Sequence, residues 1–94
     1  MDRIKRIEEM EKALDICEPA VKNLLDAIED FKAAQPYFER LGEYYGSPAW
    51  RGDYEADENG ELPRGLKRGV LSQDTLYDLL EQRGELLTII DLKT

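Results

Sequence analysis

Ile7-Glu-Glu-Met-Glu-Lys-Ala-Leu-Asp-Ile-Cys-Glu-Pro-Ala-Val-Lys-Asn-Leu-Leu-Asp-Ala-Ile-Glu-Asp-Phe31 decides the fold of this chain. Ile7, Leu14, Val21 and Ile28 recur every seven residues, and Met10, Cys17, Leu24 and Phe31 follow the same period offset by three. That alternation is the a/d stripe of a heptad, and every position in it is apolar or Cys. Glu8, Glu9, Glu11, Lys12, Asp15, Glu18, Lys22, Asp26, Glu29, Asp30 and Lys32 fill the other faces as a solvated surface. Asp2–Arg6, Glu8–Lys12 and Glu18–Lys22 place the acid four residues before the base, the order that supports a helix.

Pro19 lies inside this pattern. A proline in a helix interior removes one hydrogen bond and crowds the preceding turn. The apolar register nevertheless continues from Cys17 through Val21 to Leu24, which predicts a kinked, continuous helix over residues 2–35. After Pro36, Phe38, Leu41 and Tyr45 keep helical spacing and predict a kinked continuation over 36–45. Gly46 then supplies a left-handed stop, and Pro48 cannot continue the helix.

Residues 46–71 predict an ordered loop, because Trp50, Tyr54, Leu62, Leu66, Val70 and Leu71 are too many apolar residues for a free linker. Asp57-Glu-Asn-Gly60 is a turn signal, and Leu62-Pro63 points to extended backbone after it. Ser72 is suited to cap a last helix over 73–90, with Asp74 in its first turn and Leu76, Leu79, Leu80, Leu86, Leu87 and Ile90 as its apolar positions. The expected fold is all-α and single-domain over 1–94: a long kinked amphipathic helix, an ordered acidic and aromatic loop, and an antiparallel return helix. Such a chain forms a helical hairpin or three-helix arrangement with coiled-coil character. The first helix is about 50 Å long and the last about 27 Å, so the last cannot cover the whole stripe. Homodimerisation along the stripe is the expected remedy.

The totals narrow the function. A net charge of −8 opposes unassisted binding to nucleic acid or to an anionic membrane. The absence of histidine removes the usual general base and neutral metal ligand, and with them any Ser-His-Asp or Cys-His catalytic group. No other residues stand at catalytic spacing, so no enzymatic activity, catalytic residue or cofactor is expected. The lone Cys17 forbids an internal disulfide and, by its place in the stripe, predicts a buried thiol. The opening Met-Asp-Arg-Ile-Lys-Arg does not resemble a signal peptide, and no apolar run approaches a membrane span. The expectation is a cytoplasmic protein.

Asp53, Glu55, Asp57, Glu58 and Glu61 form an acidic block with no base among them. From Glu55 the order Glu55-x-Asp57-x-Asn59-Gly60-x-Leu62 partly matches a calcium-binding EF-hand loop. It has Glu at the first position and Leu66 where a bidentate Glu is needed, so Glu55, Asp57 and Asn59 are weak metal candidates and a solvated turn is the better reading. Arg64, Lys67 and Arg68 follow and can neutralise the acids. Tyr37, Phe38, Tyr44, Tyr45, Trp50, Tyr54 and Tyr77 are seven of the eight aromatics, enough for a small core with hydroxyls at its rim or for a partner-binding patch. The partner-contact candidates are Tyr44, Tyr45, Trp50, Tyr54, Arg64, Lys67 and Arg68.

Glu43-Tyr-Tyr-Gly-Ser-x-x-Trp50, Asp53-Tyr-Glu-Ala-Asp-Glu58, Leu62-Pro63, Leu66-Lys-Arg-Gly-Val-Leu-Ser72-x-Asp74 and Tyr77-Asp-Leu-Leu80 together resemble a small bacterial family known only as a domain of unknown function. Arg6-Ile-Glu-Glu-Met-Glu11 resembles the start of that family, and Pro19 and Asn59 depart from its pattern. The resemblance implies a bacterial, cytosolic, stand-alone helical protein and brings no activity, cofactor or catalytic residue. The function expected from the whole is non-enzymatic protein–protein interaction or assembly, with self-association through the heptad stripe. Two alternatives are an acidic nucleic-acid mimic of the phage-inhibitor type and a weak calcium-binding module built on the acidic loop.

Overall fold

The computed structural model describes residues 2–91 and is all-α, with no strand among the described residues. Its elements are α1 (Arg3–Ala33), α2 (Gln35–Tyr44), α3 (Pro48–Glu58), a 3-10 turn (Gly69–Leu71) and α4 (Gln73–Ile89). The chain divides between Ala33 and Ala34 into two compact units. No described helix is long and apolar enough to cross a membrane.

The first unit is α1. Asp2 caps it: the Asp2 carboxylate accepts the Ile4 N–H at 3.3 Å, and its carbonyl accepts the Arg6 N–H at 3.1 Å. The helix runs unbroken for 31 residues through Pro19. None of its residues is fully buried, and Ile28, Phe31 and Lys32 near its end are half-buried. Cys17 is exposed, contrary to the buried thiol expected from the stripe: apolar periodicity marks a face that seeks cover, and α1 finds none over this position. Lys22 Nζ reaches forward to Asp26 at 2.8 Å, an exposed pair one helical turn apart.

The second unit starts with α2, which carries Pro36 in its first turn, where a missing N–H costs nothing. It ends at Tyr44, and Gly46 follows at φ +81°, the left-handed stop expected there. The segment read as a loop over 46–71 is not one. It contains α3, and the reason is local. Ser47 stands in extended backbone, its hydroxyl accepts the Trp50 N–H at 3.1 Å, and Pro48 occupies the first turn. Ser before Pro is thus both the end of α2 and the start of α3.

Asp57-Glu-Asn-Gly60, expected as a loop turn, closes α3. The Gly60 N–H donates to the Asp57 carbonyl at 3.1 Å and the Glu61 N–H to the Ala56 carbonyl at 2.9 Å. With Gly60 at φ +71°, this is a Schellman ending. Ser72 caps α4, accepting the Thr75 N–H at 3.4 Å, and Asp74 lies in the first turn, both as expected. Leu76, near the start of α4, packs in the core with Leu41 of α2. Arg83, further along α4, donates from Nε to Gln35 Oε1 at 2.8 Å and lies 5.5 Å from the centre of the Phe38 ring, at the start of α2. The return helix therefore runs antiparallel to α2.

Candidate functional site

Trp50 organises the second unit. Capping by Ser47 fixes the first turn of α3 and aims the indole inward, leaving it 9% exposed beside Leu71 and Leu76. Leu41, Tyr44, Tyr45 and Leu62 close around those three. Tyr45 meets the indole edge-on at 5.6 Å between centroids, and Tyr54, one helical turn along α3, stacks on it at 5.3 Å. The indole N–H donates to the Val70 carbonyl at 2.9 Å. A buried Trp needs such an acceptor, and this one ties α3 to the 3-10 turn.

A second clasp runs along the connection after α3. Arg68 donates from Nη1 to Asp57 Oδ1 at 2.6 Å and from Nη2 to the Pro63 carbonyl at 2.6 Å. One guanidinium thus holds both the end of α3 and the Leu62-Pro63 segment. This is the fixed fork geometry that distinguishes Arg from Lys.

The Tyr44 hydroxyl donates to Asp53 Oδ2 at 2.6 Å, linking α2 to α3. That bond, then loss of hydration, then the carboxylate's charge push the phenol up to about 12. The Tyr54 phenol is also raised, first by the charge of Glu58 and then by a hydrogen bond to it. Beside Tyr44 and Asp53 lies an open depression of about 320 Å³, floored by Leu62, Leu66, Val70 and Leu71 and rimmed by Lys67.

The seven partner-contact candidates therefore divide. Trp50 is core, Tyr44 and Tyr45 are half-buried against it, and Arg68 is half-buried in its clasp. Tyr54, Arg64 and Lys67 are exposed. Lys67 and Tyr44 share the depression. Asp53 and Val70 supply polar partners in this cluster that the sequence does not single out as contacts. Their partners are a hydroxyl nine residues away and an indole twenty residues away, separations that no local pattern encodes.

The calcium candidates do not converge. Glu55 and Asp57 belong to α3 and Asn59 is its C-cap. Residues two apart on a helix point about 200° from one another, so Asp57 faces away from Glu55 and toward Arg68. Among the described residues, no group of three or more His, Cys, Asp or Glu side chains is placed to hold a metal ion.

The other notable surface is the stripe on α1. Ile7 is 53% exposed, Leu24 is 61% exposed, and Met10, Leu14 and Val21 are similar. Isolated exposed apolar residues are ordinary on a protein surface; here they recur at heptad spacing from Ile7 to Leu24.

The family model described as a domain of unknown function (DUF4298) matches residues 7–91. No curated protein and no solved structure matches the chain.

Proposed function

The chain belongs to the DUF4298 family of domains of unknown function, and we propose that it acts as a non-enzymatic assembly protein that self-associates through α1. The observation that carries this is the stripe itself. A helix of 31 residues repeats apolar side chains at a and d along its length, and those from Ile7 to Leu24 stand exposed. Isolated helices draw little stability from propensity and depend on packing of an apolar face. Helix α4, at 17 residues, spans about 26 Å against about 46 Å for α1. A second α1 matches the stripe in both length and period, and a coiled coil between two copies supplies the missing packing. The protein in this reading is a bacterial, cytoplasmic homodimer whose second unit offers Tyr54, Arg64 and Lys67 to a protein partner.

The test is the dependence of thermal unfolding on protein concentration, followed by helical ellipticity. Association makes the midpoint rise with concentration, because mass action stabilises the folded dimer. Replacing Leu14 and Leu24 together by Asp should remove that dependence. A midpoint independent of concentration in the unmodified chain contradicts the proposal.

A further inference from the structure

We infer that the second copy of α1 lies parallel to the first and in register with it, an orientation that rests on the self-association proposed above. Two features of the stripe and its flanks favour this orientation, and a third makes it compatible with the proline. The first is the division of side-chain shape between a and d. The a positions are Ile7, Leu14, Val21 and Ile28, of which three are β-branched; the d positions are Met10, Cys17, Leu24 and Phe31, of which none is. β-Branched side chains at a with unbranched or γ-branched ones at d suit the two-stranded parallel geometry.

The second feature is charge on the flanks. The g positions are Arg6, Ala13, Ala20 and Ala27, and the e positions are Glu11, Glu18, Leu25 and Lys32. In a parallel pair each g residue meets the e residue five positions further along the other copy. Arg6 then meets Glu11 of the second copy, twice by symmetry, and the three alanines meet Glu18, Leu25 and Lys32 with no like-charge contact. In an antiparallel pair that overlaps the whole stripe, e meets e. Glu18 then faces Glu18 of the second copy, and the Arg6–Glu11 pairing is lost.

The third feature is the placement of Pro19. It occupies f, the position furthest from the seam. The hydrogen bond that proline removes is therefore lost on the solvent side, and the a/d surface on either side of it stays continuous. A consequence follows for the second unit. Parallel helices about 10 Å apart bring the two Ala33 ends together, so both copies of the second unit are tethered at the same end of the pair. A partner with two matching sites would be held with the gain of bivalent binding.

The experiment uses the full chain. Lys5→Cys in a Cys17→Ser background is labelled with donor and acceptor dyes, and the labelled copies are mixed after sedimentation has established their association state. The parallel pair places the two labels at the same level on opposite outer faces, about 20 Å apart, giving near-complete energy transfer. The antiparallel pair separates them by about 40 Å. In the unmodified chain, mild oxidation should also join Cys17 to Cys17 of the second copy, since both stand in one d layer. A dimer with near-complete transfer and a Cys17 cross-link supports the inference. A dimer whose transfer fits the long separation, with no cross-link, overturns the parallel orientation while leaving self-association intact. A chain that stays monomeric overturns both.

Discussion

The Trp50 indole N–H donates to the Val70 carbonyl at 2.9 Å, across twenty residues of chain. That single bond joins α3 to the turn preceding α4 and lets one aromatic side chain act as the centre of the second unit. Trp50→Phe keeps a ring in place but leaves the carbonyl without its donor, a loss of about 1 kcal/mol. Trp50→Ala removes the ring as well and should cost about 3–5 kcal/mol. Urea unfolding of the two variants, followed by ellipticity, checks the ordering. Equal midpoints for both would mean that the packing around the indole contributes nothing beyond the hydrogen bond.

Tyr44 gives the second unit a defined alkaline response. Its phenol holds its proton up to about 12 when folded, against an ordinary value of 10. Between those values the unfolded chain has lost this proton and the folded chain keeps it. The stabilisation is therefore full below pH 10 and declines as pH rises toward 12. Ultraviolet titration of tyrosinate should show a late-titrating phenol that Asp53→Asn moves toward the ordinary value. No change on that substitution would detach the shift from the Tyr44–Asp53 bond.

Arg68 should control access to the connection between α3 and α4. Its guanidinium bridges Asp57 and the Pro63 carbonyl, and the exposed trypsin sites Arg64 and Lys67 lie within the span it holds. Arg68→Lys keeps the charge but loses the fork, so cleavage at Arg64 and Lys67 should accelerate by roughly an order of magnitude under native conditions. Cleavage as slow as in the unmodified chain would show that the connection is held by Leu62 and Leu71 without the clasp.

Two glycines should respond oppositely to the same substitution. Gly60 has φ +71° in the Schellman ending of α3, so Gly60→Ala should destabilise by about 1 kcal/mol through backbone strain. Gly84 lies within α4, where an added Cβ meets nothing within 4 Å. Gly84→Ala should stabilise by about 0.5–1 kcal/mol. Thermal midpoints that move in the same direction would contradict the assignment of these two backbone roles.

The parts of the fold that were legible are those written in local chemistry. The helical character of α1, its continuity through Pro19, the stop at Gly46 and the cap at Ser72 each depend on a few neighbouring residues. Helix α3 is hidden in the sequence because Ser47-Pro48 carries two messages, one ending α2 and one beginning α3. Asn59-Gly60 signals a reversal, but a helix ending and a loop turn use the same left-handed glycine. The roles of Trp50 and Arg68 depended on partners distant in sequence, Val70 for the indole and Asp57 for the guanidinium. For that reason they were legible as conspicuous residues and not as core and clasp.

The most direct test of the central claim is sedimentation equilibrium of the full chain across micromolar concentrations. Self-association through α1 predicts a mass that rises from 10.9 kDa toward twice that value, and a return to the monomer mass when Leu14 and Leu24 are both replaced by Asp. A constant monomer mass up to high micromolar concentration would contradict it.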